Sequence, residues 1–144
     1  MNRGPLSKAG PTDWTSALAP SLDDFATLAQ AALHALPAHF RQQTGEVEMR
    51  VADFAEDAVL DELGIEDAFD LTGLYHGVDI GRRSAFGAAP GPSLVFLYRR
   101  PILDEWCERG DVTLADLINH VLVHEIGHHF GLSDADIEAI EGKD

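Results

Sequence analysis

Two histidines and a glutamate stand at a spacing that suits metal-assisted hydrolysis. Residues 124–134 read HEIGHHFGLSD, which places His124 and His128 four positions apart and Glu125 directly after the first of them. On a helix, residues four apart lie about 40° apart around the axis and one turn along it, so both imidazoles can reach one metal ion. Glu125 lies about 100° around from His124, where its carboxylate can act as a base on a water at the metal. The spacing predicts a metal site with a general base beside it.

Two residues that follow this motif point to a third ligand. Gly131 stands three positions after His128, where a helix must end sharply if the chain is to turn back. Asp134 stands three positions later and can return a carboxylate oxygen to the metal. Two imidazoles and one carboxylate leave one tetrahedral position open, as at catalytic zinc sites. We therefore predict one Zn²⁺ per chain, held by His124, His128 and Asp134.

Other polar residues are candidates for the surroundings of this site. His120 lies one turn before His124 on nearly the same stripe, so it could line the cleft, hydrogen-bond a metal ligand or serve the structure alone. Tyr75 could donate a hydrogen bond to an oxyanion, with a half-buried aromatic as the alternative, and His76 could do the same or help to bind substrate. His129 lies about 140° from His124, which favours a packing role.

A long helix must carry the motif. Thr113 and Asp116 form a capping-box pattern, and the helical pattern then continues to Phe130. Apolar residues occur on almost every side of this helix: Leu114, Leu117, Ile118, Val121, Leu122, Val123, Ile126 and Phe130. Such a helix is buried, so its ionisable residues should be paired or bound to metal.

The remaining pattern predicts short elements around this helix. Alternation at period two predicts a strand from Val47 to Val51, and the apolar run 93–99 predicts a buried strand, at an edge or in the interior of a sheet. Helices are predicted from Ser21 to 44–45 with a break at Pro37, over about 55–63, from Pro101 to Cys107, and from Ser133 to about 141. We expect 71–80 to be extended or looped and 81–92 to be a mobile connection. Residues 1–20 are predicted to form a flexible tail, on which Trp14 and Leu18 could dock against the body, and 21–144 a single domain.

Length and charge exclude several classes of protein. A chain of 144 residues and 15.6 kDa holds one core, and its net charge of -15 opposes binding to nucleic acid or to anionic membranes. The basic residues Arg82, Arg83, Arg99 and Arg100 are expected at the solvated surface. A single cysteine, Cys107, allows no internal disulfide, and we expect it to be partly buried on a helix. With no stretch resembling a signal peptide or a membrane span, we expect a cytoplasmic protein.

Three segments together resemble a known family. HVLVHEIGHHFGLSD at 120–134, TGLYHG at 72–77 and LVFLYRRPI at 94–102 resemble the small bacterial zincin-like metallopeptidases with a minimal zincin fold. The resemblance covers roughly residues 45–141 and implies an α+β fold in which a small twisted sheet packs on the HExxH helix. It also makes His124, His128 and Asp134 the zinc ligands and Glu125 the general base.

The chain departs from the larger zincin families in two respects. It has no methionine turn, since Met1 and Met49 both precede the motif. A third ligand from a later glutamate would have to be Glu138 or Glu141, but Asp134 fits the turn better. Because few residues follow the motif, we expect the usual lower wall of the substrate cleft to be absent.

These observations favour a zinc metallopeptidase that hydrolyses peptides or proteins with a water activated by Glu125. Two alternatives remain open. One is a metal-binding regulatory or interaction module that keeps the scaffold without catalysis, and the other is hydrolysis of a non-peptide amide.

Overall fold

The computed structural model describes residues 13–38, 41–42, 47–76, 93–129 and 132–140. These residues form helices, strands and one 3₁₀ turn: α1 (Leu22–His34), β1 (Val47–Ala52), α2 (Asp57–Leu63), a 3₁₀ helix (Ala68–Asp70), β2 (Gly73–His76), β3 (Ser93–Tyr98), α3 (Arg99–Arg109), α4 (Leu114–His129) and α5 (Asp134–Ile140). The predicted mobile connection over 81–92 lies outside the described residues.

The described strands form one mixed sheet in the order β1-β3-β2. β3 lies in the centre, parallel to β1 and antiparallel to β2, with Val95 opposite both Met49 and Tyr75. Of the two positions that the run 93–99 allowed, the structure has the interior one. The combination of this sheet with the surrounding helices confirms the predicted α+β class and its packing on the motif helix.

Helices α1 and α4 pack on one face of the sheet and enclose the main core. Val95 and Leu97 of β3 are fully buried there, against Phe25 of α1 and against Leu122 and Ile126 of α4. The predicted burial of α4 is confirmed along its length, at Leu114, Leu117, Ile118, Val121, Leu122, Val123 and Ile126. The motif helix is therefore held by apolar contacts on several sides.

A smaller cluster covers the other face of the sheet. Successive strand residues point to opposite faces, so Tyr98 lies on the face opposite Leu97. Tyr98 is 3% exposed and packs with Ala55 and Leu60. The segment between β1 and β2, which includes α2, thus closes the second face of the sheet.

Local capping chemistry fixes the helix ends. Ser21 and Asp24 form the predicted capping box at α1, with the Asp24 N–H donating to Ser21 Oγ at 3.1 Å and the Ser21 N–H to Asp24 Oδ2 at 2.8 Å. Gly64 and Gly110 end α2 and α3 in the left-handed region, at φ of 72° and 76°. The first helix ends at His34, just before the break predicted at Pro37, and residues 38 and 41–42 are helical again.

Three surface predictions are wrong. Trp14 and Leu18 do not dock on the body, since they are 74% and 92% exposed. Arg99 is not a solvated surface residue: its side chain is 18% exposed, and Nε donates to the Pro20 carbonyl at 2.6 Å. Cys107 is exposed instead of partly buried.

Among the described helices, none has the length and apolar character needed to cross a membrane.

Candidate functional site

Helix α4 carries most of the predicted site on one continuous element. It begins after Thr113, whose Oγ1 accepts the Asp116 N–H at 3.1 Å, and it continues through residue 129 without a break. His124 and His128 are therefore separated by about 6 Å along one helix axis. His124 and Glu125 are half-buried. The helical spacing on which the metal prediction depends is thus present in the backbone.

A backbone hydrogen bond links the last turn of α4 to the residues that precede α5. The Leu132 N–H donates to the Gly127 carbonyl at 3.0 Å. A bond between residues five apart is the signature of the Schellman motif, in which the chain turns directly after a helix. Helix α5 then begins at Asp134, after Ser133 caps it by accepting the Asp136 N–H at 3.1 Å.

Close packing holds α5 against α4. Ile137 of α5 is fully buried, and a methyl group placed on Gly127 would lie only 2.8 Å from its Cγ1. Gly127 therefore has to be glycine for α5 to approach this closely. The start of α5 is thereby tied to the last turn of the motif helix, as a third ligand from Asp134 would require.

The Glu125 carboxylate reaches the sheet. Its Oε1 accepts the backbone N–H of Tyr75 in β2 at 3.2 Å. A methyl group placed on Gly73, two residues earlier in β2, would lie 3.4 Å from Glu125 Cγ. Neither contact is predicted by the motif, although a glycine inside a strand is a signal of close backbone approach.

His120 lies against His124. The two ring centroids are 4.0 Å apart with an angle of 43° between the ring planes, and both residues are half-buried. The structure thus brings His120 together with one of the predicted ligands, one turn away on the same side of α4.

Tyr75 and His76 take opposite faces of β2. Tyr75 is 9% exposed and belongs to the main core, on the side of the sheet covered by α4. His76 is exposed, and the alternation of a strand places it on the other face. Of these two candidates, only Tyr75 is brought to the helix that carries His124 and Glu125.

The pKa of the buried Tyr98 phenol is affected by the negative charge of Glu125. Burial raises the pKa of its phenol, and the negative charges of Glu56 and Glu125 raise that pKa further. A raised pKa keeps the phenol protonated and neutral at physiological pH. The sequence does not mark Tyr98 as special, because no pattern distinguishes an aromatic residue in a buried strand from other core residues.

The predicted donor set of His124, His128 and Asp134 would suit zinc. Two imidazoles and a carboxylate, on a helix and on the element that packs back onto it, are typical ligands of a catalytic Zn²⁺. The side chains of His128 and Asp134 lie outside the described part of the structure, as do Gly131 and Glu141. Within that part, no three His, Cys, Asp or Glu side chains are grouped closely enough to hold a metal ion.

Comparison with known families agrees with these features. A profile of the zincin-like metallopeptidases matches residues 44–143, a range that includes the whole sheet, the motif helix and α5. A search of curated proteins found no significant match. Because the family profile covers more than half of its length, the chain belongs to the zincin-like metallopeptidase family.

Proposed function

We propose that this protein is a zinc-dependent peptidase with Glu125 as its general base. The contact that carries the proposal is the hydrogen bond from the Tyr75 backbone N–H to Glu125 Oε1. It orients the carboxylate of the HExxH motif at the edge of α4, one residue from a predicted metal ligand. A metal-binding motif kept only for structure would have no need of an oriented carboxylate at that position.

His124, His128 and Asp134 would hold the zinc ion. When bound, Zn²⁺ supplies a Lewis acid that lowers the pKa of water and polarises a carbonyl group. His120 would fix the orientation of the His124 ring through the contact at 4.0 Å between ring centroids. This contact restricts the rotation of His124 about its side-chain bonds.

The protein's own residues would then move the protons. Glu125 takes a proton from the attacking water and passes it to the amine that leaves when the peptide bond breaks. Tyr75 would donate a hydrogen bond from its phenolic O–H to the oxyanion that forms at the attacked carbonyl. Tyr75 packs on the α4 side of β2, the same side from which Glu125 approaches the strand.

A library experiment tests the proposal. Zinc-loaded wild-type protein and Glu125→Gln are incubated with a peptide library and with a library of non-peptide amides. We expect the wild type to cleave peptides and Glu125→Gln to be slower by about 10²–10⁴-fold, the usual contribution of a general base. Glu108→Gln changes an exposed glutamate of α3 in the same way and should retain full activity.

Three results would contradict the proposal. Cleavage of amides but not of peptides would indicate an amidohydrolase, and zinc binding without any cleavage would indicate a non-catalytic module. Equal rates for wild type and Glu125→Gln would show that another group is the base.

A further inference from the structure

The backbone of β2 has one set of polar groups directed away from its partner strand. The Tyr98 N–H donates to the Thr72 carbonyl at 2.9 Å, so Thr72 and Tyr98 form a hydrogen-bonded pair of the antiparallel ladder. Such pairs alternate along a ladder, which makes Leu74 the next hydrogen-bonded residue and leaves Gly73 and Tyr75 directed outward. The Tyr75 N–H that reaches Glu125 is therefore one that β3 does not use.

Gly73 allows the helix to come this close. A methyl group placed there would lie 2.8 Å from Cγ1 of Val121, 3.1 Å from the Phe96 carbonyl oxygen and 3.4 Å from Cγ of Glu125. The distance to Val121 Cγ1 is too short for two carbon atoms that are not bonded to each other. A side chain at Gly73 would therefore push β2 and α4 apart. The Tyr75 N–H would then move away from the Glu125 carboxylate.

We infer that Gly73 and the Tyr75 backbone N–H are positioning elements for Glu125. Glutamate has three rotatable side-chain bonds, and anchoring one carboxylate oxygen on a rigid strand gives the other a fixed direction. The catalytic meaning of this inference rests on the proposed function, whereas the contact itself does not. Misplacement of a reacting group by about 1 Å can slow an enzyme by about 100-fold.

Amide hydrogen exchange, followed by NMR on the full chain, tests the contact without any substrate. We expect the Tyr75 amide to be protected in the wild type and to exchange at least about tenfold faster in Glu125→Ala. Leu74, which bonds within the ladder, should be unchanged and serves as the internal control. Glu125→Gln should retain the protection, because its carboxamide oxygen can still accept. Equal Tyr75 exchange in wild type and Glu125→Ala would overturn the inference.

Kinetics test the consequence. In Gly73→Ala we expect kcat to fall by about 10–100-fold, with KM within about threefold and zinc affinity unchanged. Adding Val121→Ala removes the closest collision and should recover most of the loss, while Val121→Ala alone should have nearly wild-type kcat. An unchanged kcat in Gly73→Ala would contradict the positioning role.

The two tests separate this inference from the proposed function. If the wild type cleaves nothing, the proposed function fails and the exchange measurement still decides whether Glu125 is anchored. If the wild type cleaves peptides but Tyr75 shows no protection dependent on Glu125, only the positioning role fails. Should Gly73→Ala not fold, the exchange comparison decides alone.

Discussion

Ile137 of α5 lies directly against Gly127, which belongs to the HExxH motif of α4. A methyl group at Gly127 would be 2.8 Å from Ile137 Cγ1 and 3.0 Å from its Cδ1. This packing explains why the second variable position of the motif is glycine in this chain. It also couples the motif helix to α5, whose first residue is Asp134.

Gly127→Ala should therefore lower stability, against the usual trend in helices. Alanine is favoured over glycine in a helix by about 1 kcal/mol, but overpacking a core costs about 1–3 kcal/mol. We expect the free energy of unfolding, measured with urea, to fall by up to about 2 kcal/mol.

When Ile137 is first replaced by alanine, Gly127→Ala should raise the free energy of unfolding instead of lowering it. Ile137→Ala alone should cost about 2–5 kcal/mol, because Ile137 is fully buried. With its side chain removed, Gly127→Ala should stabilise the protein by up to about 1 kcal/mol. The same loss in both backgrounds would show that Ile137 is not the neighbour that requires glycine.

Arg99 should stabilise the entry into α1. Its Nε donates to the Pro20 carbonyl at 2.6 Å in a partly buried contact, and its guanidinium pairs at 3.0 Å with Asp53, whose side chain is half-exposed. We expect Arg99→Met to lower the free energy of unfolding by about 1–3 kcal/mol and to speed proteolysis before Pro20. Arg50→Met removes the exposed pair with Glu48 and should change stability by less than about 0.5 kcal/mol. Equal effects of the two substitutions would contradict a structural role for Arg99.

Tyr98 should make the fold sensitive to alkali. Its pKa is raised by burial and by Glu56 and Glu125, so the folded state holds the phenolic proton more tightly than the unfolded state. The contribution of Tyr98 to the free energy of unfolding is complete at pH values below about 10, the pKa of the phenol in the unfolded chain. It is lost as the pH rises toward the higher pKa of the phenol in the folded state. Urea titrations at neutral pH and above about pH 10 should show a smaller alkaline loss for Tyr98→Phe than for the wild type. Parallel losses in both proteins would mean that Tyr98 contributes nothing.

Much of the fold could be predicted because local chemistry determines it. The capping patterns at Ser21, Thr113 and Ser133 and the glycine after α2 mark real helix ends. The alternation from Val47 predicted β1. These signals depend on neighbours in sequence, so one chain suffices to interpret them.

The missed features depend on contacts between distant residues. Tyr75 and Glu125 are separated by 50 positions, and their hydrogen bond uses a backbone N–H that no side-chain pattern marks. Arg99 looked like a surface charge because nothing local indicates the Pro20 carbonyl, 79 positions away. The motif predicted which residues belong to α4 and the family resemblance that a sheet packs on it, whereas the contacts of Gly73 and Tyr75 with Glu125 could only be found in three dimensions.

Calorimetric titration of the metal-free protein with Zn²⁺ decides whether residues of α4 and the start of α5 together form a zinc site. We predict one Zn²⁺ per chain for the wild type and for Glu125→Gln. His124→Ala, His128→Ala and Asp134→Ala should each bind it at least about tenfold more weakly, since each removes a proposed ligand. Unchanged affinity in His124→Ala and His128→Ala, or no binding by the wild type, would contradict the claim.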